Sequence, residues 1–142
     1  MLRSVELADY MLKNPVTAKP DLTVYEAALR ILEHKVSGLV VVDDRKALVG
    51  MLSELDCLRV ILASAYNGED FGSALVGDIM TRDIEVQNPH DDIVDVATSM
   101  LDHKHRRRPV ILDDRLVGQV TCRQILNIVT TGLKKQKMRP RR

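Results

Sequence analysis

Two eight-residue stretches hold the side chains whose type and spacing could do chemistry. The first is Val49-Gly50-Met51-Leu52-Ser53-Glu54-Leu55-Asp56, and its echo is Val117-Gly118-Gln119-Val120-Thr121-Cys122-Arg123-Gln124. Each reads as a short apolar strand ending in a hydroxyl residue that turns straight into a helix. Such a hydroxyl can cap the helix by accepting from one of its unpaired backbone N–H groups. In the first copy Asp56 follows Ser53 by three positions, and its acceptor-only oxygens suit a vicinal diol such as the two hydroxyls of a ribose. The second copy has Gln124 there, with one carbonyl oxygen and a donor amide. Charge-assisted bonds from a carboxylate are the stronger kind, so the two copies are not equivalent.

Other reactive combinations are sparse. His103-Lys104-His105 is the nearest thing to a metal cluster, and a lone His-x-His is read here as solvated. Cys57 and Cys122 stand far apart at non-equivalent places in the two copies, which makes neither a zinc site nor a disulfide framework. No Gly-rich phosphate loop or dinucleotide fingerprint is present, and no Ser/His/Asp or Cys/His arrangement can be assembled. An enzyme is not expected, and no catalytic residue, metal or cofactor is assigned.

The elements that would position these side chains come as a repeat. Shifting the 142-residue chain by 69 places Asp9-Tyr10-Met11 over Asp78-Ile79-Met80, Pro20 over Pro89, Val24 over Ile93 and His34 over His103. Small length adjustments then align Asp43-Asp44 with Asp113-Asp114 and Gly50 with Gly118. The first copy opens with an expected short helix, Val5 to Leu12, capped by Ser4 and ended by Asn14-Pro15. Val16-Thr17-Ala18 is a brief extended segment. Thr23-Val24-Tyr25-Glu26 fits a capping box, followed by the helical stripe Val24, Ala27, Ala28, Ile31 and Leu32. Its counterpart is Ile93, Val96, Ala97, Met100 and Leu101, and both stripes are expected to be core. Leu39 to Val42 and Ala47 to Leu52 flank turn chemistry at Asp43 to Lys46, an antiparallel hairpin. Val110 to Leu112 and Leu116 to Val120 repeat it. A helix from Glu54 to Ala65 presents Leu55, Leu58, Ile61, Leu62 and Ala65 on one face, and Cys122 to Val129 forms its counterpart.

Each copy is therefore β-α-β-β-α, too small to bury both faces of its sheet alone. The expected fold is α+β, two tandem repeats packed sheet to sheet with pseudo-twofold symmetry and a cleft between them. The expected boundaries are 1–66 for the first repeat with its N-terminal helix, 67–73 for a linker, 74–131 for the second repeat and 132–142 for a basic, flexible tail. Six of the 21 basic residues fall in the last nine positions, leaving 15 against 20 acidic residues in the rest. The body is thus acidic and the tail basic. Aromatics make up only 3% with no Trp, so the core is aliphatic and methionine-rich. No apolar run approaches the roughly 20 residues that span a bilayer, and the first residues lack the apolar run of a secretory signal. A cytoplasmic protein without membrane association is expected.

Three strings, His34 to Asp43, Gly50 to Asp56, and His105-Arg106-Arg107-Arg108-Pro109-Val110-Ile111, resemble the CBS-domain family, whose members pair as Bateman modules. The resemblance runs from about Val5 to Val129. It implies two clefts for adenosine ligands such as AMP, ADP, ATP or S-adenosylmethionine, each taking its ribose-binding Ser/Thr-x-x-Asp from one repeat and much of its base-enclosing surface from the other. Carried over, the first cleft would use Ser53 and Asp56 with Val86, Arg106, Arg107, Arg108 and Pro109. The second, weaker cleft would use Thr121 and Gln124 with Thr17, Val36, Ser37 and Gly38. The family places phosphate contacts at the arginine run. Adjacent guanidinium groups repel unless an anion intervenes, and arginine forks match phosphate oxygens. This favours AMP, ADP or ATP over cationic S-adenosylmethionine. Strand alternation keeps all three arginines from facing one way, which leaves Arg106 or Arg107 as the expected phosphate contact.

The resemblance implies a regulatory module signalling to a separate protein target. The competing readings are a constitutive protein–protein adaptor with a degenerate cleft, an S-adenosylmethionine sensor, and a nucleic-acid binder using the arginines and tail. The acidic body and the lack of an aromatic platform oppose the last. A homodimer through the faces of the helices after Ser53 and Thr121 is expected from the family's habit of pairing modules.

Overall fold

A computed structural model describes residues 4–68 and 73–137, with side chains described to residue 132. The elements are a short 3-10 turn at Leu7–Asp9, β1 (Thr17–Ala18), α1 (Val24–His34), β2 (Gly38–Val42), β3 (Leu48–Ser53), α2 (Glu54–Tyr66), α3 (Val76–Ile79), α4 (Ile93–His103), β4 (Arg107–Leu112), β5 (Arg115–Thr121) and α5 (Cys122–Lys137). The α+β class and the doubled plan stand. The chain forms two compact units.

In the unit built on β1–β3, β1 runs parallel to β2 and β2 antiparallel to β3. All five β2 residues are buried, as a fully apolar strand requires. Thr23 accepts from the Glu26 N–H and caps α1. Val24, Ala27 and Ile31 then reach a core shared with Ala18, Leu39, Val41, Leu52, Cys57, Val76 and Met80. In the other unit β4 and β5 pair across the two-residue turn Asp113-Asp114. Both turn residues have positive φ, 50° and 60°, the requirement of a type I′ hairpin. Here Ile93, Val96, Met100, Val110 and Val120 pack with Leu7.

Leu7 reveals how the segments are shared. The chain up to Asn14 clusters with β4 and β5, whereas residues up to Ile84 cluster with β1–β3. Leu7 N–H donates to Asp91 O, Ala8 N–H to Pro89 O, and Ile93 N–H to Val5 O. In the other unit Val76 N–H donates to Leu22 O, Gly77 N–H to Pro20 O, and Val24 N–H to Ala74 O. The three pairs correspond under the 69-residue shift. The segment at the start of each repeat thus packs in the compact unit of the other repeat, so the compact units do not coincide with the sequence repeats. Backbone bonds to distant partners are invisible to local pattern.

Three further expectations are corrected. The Val5–Leu12 helix is only the Leu7–Asp9 turn, with no side-chain cap; Ser4 Oγ instead accepts from the Glu6 N–H. Its length is limited because Leu12 exchanges two backbone bonds with Gln119. Leu32 and Leu101, read as core, are 73% and 76% exposed. They lie at the ends of stripes whose middles are covered. The apolar face expected on α2 is exposed at Leu55, Leu58 and Leu62, while Cys57 and Ser64 are buried. Finally, residues 132–137 continue α5 as helix rather than a flexible tail, consistent with the helix propensity of Leu, Lys and Gln. Residues 138–142 and linker residues 69–72 lie outside the described residues.

Candidate ligand site

Ser53 ends β3 and caps α2. Its Oγ accepts from the Asp56 N–H at 3.0 Å, and Asp56 Oδ2 accepts from the Ser53 N–H at 2.9 Å. This reciprocal box meets two helix-end donors and uses one of the roughly four lone-pair positions of the carboxylate. The remaining oxygen, Oδ1, has Arg59 Nη1 at 3.5 Å, a long contact from a side chain that is itself 75% exposed. The aspartate is therefore held in place by the cap while Oδ1 keeps acceptor capacity. Beside it, Gly38 pairs with Ser53 across the ladder and Ser37 O accepts the Glu54 N–H at 2.9 Å. Val36 is half-buried where α1 ends, its N–H on Ile31 O. Thr17 lies in β1, its carbonyl accepting from Arg30 Nη1 at 2.8 Å. Cys57, next along α2, is buried; burial pushes its thiol pKa up, and the Asp56 charge adds to the effect.

The other unit builds the same box with different atoms. Thr121 Oγ1 accepts from the Gln124 N–H at 3.1 Å, and Gln124 Oε1 accepts both the Thr121 N–H at 2.9 Å and its hydroxyl at 3.3 Å. Two donors occupy the one carbonyl oxygen, so the glutamine offers a ligand mainly its amide donors. Thr121, Arg123, Gln124, Leu126, Asn127 and Thr130 line an open depression, the flank of α5 rather than an enclosed pocket. Arg106 O accepts the Cys122 N–H at 2.9 Å, which sets Arg106 beside Thr121 as Ser37 stands beside Ser53. Within each unit the structure thus joins Ser53 and Asp56 with Ser37 and Gly38, and Thr121 and Gln124 with Arg106.

The arginine run divides by exposure. Arg106 is exposed, Arg107 is half-buried at the start of β4, and Arg108 is 2% exposed. Arg108 Nη1 donates to Gln87 Oε1 at 2.7 Å and Ser99 Oγ at 2.9 Å, and its Nε donates to His105 Nδ1 at 3.1 Å. Nη2 lies 2.9 Å from Glu85 Oε2, an ion contact off the hydrogen-bond line. The expectation that Arg108 faces a ligand is corrected: its donors are directed into its own unit. Pro109 is buried as well, its carbonyl accepting the Gln87 N–H, whereas Val86 is 44% exposed. Sequence reasoning missed Glu85, Gln87, Ser99 and His105. The signal was the repeat itself, since 69 positions before Arg108 stands Leu39, a core residue.

Among the described residues no group of His, Cys, Asp and Glu could hold a metal ion, and no helix is long and apolar enough to cross a membrane.

Two units, each with a hairpin whose second strand passes into a helix through a hydroxyl-led capping box, define a tandem α+β repeat. The CBS domain family profile matches residues 7–63 and 76–130, and the chain belongs to that family. It is 30% identical over 121 residues to the uncharacterized protein MJ1225 of Methanocaldococcus jannaschii, covering 85% of this chain and 41% of that protein. The chain spans about half the length of the curated relatives it matches. Among solved structures, CBSX2 in complex with AMP is 30% identical with a TM-score of 0.77, covering 94% of this chain and 99% of that one. The CBS domain pair of MJ0100, in complex with 5′-methylthioadenosine and S-adenosyl-L-methionine, is 26% identical with a TM-score of 0.77, covering 89% and 97%.

Proposed function

We propose that this chain is a regulatory module that binds an adenine nucleotide, AMP, ADP or ATP, and passes the binding event to a separate protein target. The observation that carries the reading is the Ser53–Asp56 box, whose carboxylate is fixed by the cap and keeps an acceptor oxygen for ribose hydroxyls. Arg106 and Arg107 supply the phosphate contacts, and Val86 an apolar contact for the base. Thr121 and Gln124, with Thr17, Val36, Ser37 and Gly38, form the weaker site, since the Gln124 carbonyl is already doubly bonded. Support comes from the family and from the AMP complex of CBSX2. Ligand binding moves a conformational balance only by its differential affinity for the two states, so the signal is a modest change of a surface that the target reads.

The module acts as a cytoplasmic homodimer in this reading. Leu55, Leu58 and Leu62 on α2 are 64%, 52% and 59% exposed, and a row of large apolar side chains on one helix is the kind of patch that marks an association surface. Light scattering at micromolar concentration should give a dimeric mass; a strictly monomeric mass removes this part.

A second reading, an S-adenosylmethionine sensor, is favoured by the ligands of the MJ0100 pair. Thermal unfolding with AMP, ADP, ATP, S-adenosylmethionine and GTP in parallel separates the two. A ligand at about 100 times its dissociation constant adds about 2.7 kcal/mol, or about 8 °C for a chain of this size. A shift with adenine nucleotides and none with GTP is the expected result. A shift with S-adenosylmethionine alone selects the second reading, and no shift with any ligand leaves a constitutive adaptor.

A further inference from the structure

The extended segment before each long helix is held differently in the two units. In one, Thr17 and Ala18 form a strand paired with Val40 and Val41, and Ala18 packs in the core with Leu39. In the other, the corresponding segment touches β4 through a single bridge, Gln87 to Val110, and Arg108 takes the place of Leu39. A buried guanidinium persists where its donors are met, and here they converge on that segment. Gln87 and Ser99 of α4 both accept from Nη1 and His105 accepts from Nε, while Nη2 faces Glu85 Oε2 at 2.9 Å as an ion contact without a hydrogen bond. His105 accepts at Nδ1, so as a neutral ring it carries its proton on Nε2. Its carbonyl accepts from Cys122 Sγ, and the carbonyl of the next residue, Arg106, takes the first N–H of α5.

We propose that Arg108 is a positioning residue: it braces the Glu85–Gln87 segment and the His105–Arg106 turn on one buried guanidinium, replacing the longer strand ladder of the other unit. It thereby sets the placement of Val86 and Arg106. The brace is a property of this unit alone; its effect on ligand affinity rests on the adenine-nucleotide reading. The site uses a planar fork whose nitrogens reach several partners at once, so lysine, a point charge on a flexible stem, is a poor substitute.

The test uses the full chain with Arg108→Met, Arg108→Lys and Glu85→Gln, amide hydrogen exchange without ligand, and calorimetric titration with AMP. The Gln87 and Ile111 amides, bonded to Pro109 O and Gln87 O, should exchange at least about tenfold faster in Arg108→Met, the equivalent of losing one charge-assisted bond. The amides of β5 should keep their protection. AMP affinity should fall about tenfold in Arg108→Met, with partial recovery in Arg108→Lys. If Arg108→Met does not fold, Glu85→Gln, changed at a half-exposed residue, should give the same pattern at about threefold. Wild-type protection at Gln87 and Ile111 in the folded variants overturns the brace. Faster exchange with unchanged AMP affinity overturns its positioning role. A wild-type chain that binds no adenosine ligand sinks the nucleotide reading, and the exchange data then decide the brace by themselves.

Discussion

Gly50 and Gly118 occupy matching positions in the two units, and replacing either by alanine should cost stability for one stated reason. A Cβ on Gly50 would lie 2.5 Å from Met80 Sδ and 2.9 Å from Thr81 O; on Gly118 it would lie 2.7 Å from Met11 Sδ and 2.9 Å from Leu12 O. The methionines can swing away. The carbonyls cannot, because Thr81 exchanges two backbone bonds with Met51, and Leu12 two with Gln119. Overpacking of this kind costs about 1–3 kcal/mol, and loosening a backbone bond adds about 1 kcal/mol. Alanine returns roughly 0.5–1 kcal/mol through a less flexible unfolded chain. A net loss of about 2 kcal/mol corresponds to a fall of about 6 °C in melting temperature at this chain length. Gly68→Ala is the control: its φ is +70° but nothing lies within 4 Å, so only the backbone conformation is penalised, by about 1 kcal/mol. Thermal and urea unfolding followed by circular dichroism measure all three. If Gly50→Ala and Gly118→Ala melt with the wild type, or lose no more than Gly68→Ala, the close approach of these segments is wrong.

Three other outcomes are expected. Lys35 and Lys104 both end their helices in the left-handed region, φ 54° and 57°, so Lys35→Gly and Lys104→Gly should each raise stability by about 1 kcal/mol in urea unfolding; loss of stability would refute this. Asp113-Asp114→Asn-Gly should also stabilise, by about 1 kcal/mol, because it supplies the residues a type I′ turn prefers; an unchanged midpoint would count against the turn. A disulfide reagent at pH 8 should modify exposed Cys122 quickly and Cys57 only on unfolding, since burial both shields the Cys57 thiol and raises its pKa, lowering its thiolate fraction at that pH. Equal rates for the two would overturn that burial.

Much of this was legible in the sequence because a duplicated chain carries its own control. The 69-residue shift located the paired helices, hairpins and capping boxes, and the contrast of Asp56 with Gln124 survives as a difference in free acceptor capacity. What local pattern could not convey was which partner covers an apolar face. Leu32 and Leu101 sit on helical stripes yet face outward, and Leu55, Leu58 and Leu62 satisfy the same periodicity on the uncovered side of α2. Periodicity places residues on a face and leaves open whether that face meets core or solvent. The exchange of the Leu7 and Val76 segments is long-range by nature. Arg108 is the instructive miss: type suggested phosphate, whereas its alignment with Leu39 pointed to a buried position.

The most direct measurement of the central claim is calorimetric titration of AMP into the wild-type chain and into Asp56→Asn. Asparagine keeps an oxygen to accept the Ser53 N–H, so the cap and the melting temperature should be retained, while the charge that strengthens ribose bonding is removed. The account predicts saturable binding to the wild type, weakened about tenfold or more by the substitution. No binding of AMP, ADP or ATP to the wild type, or equal affinity in a stably folded Asp56→Asn, would contradict it.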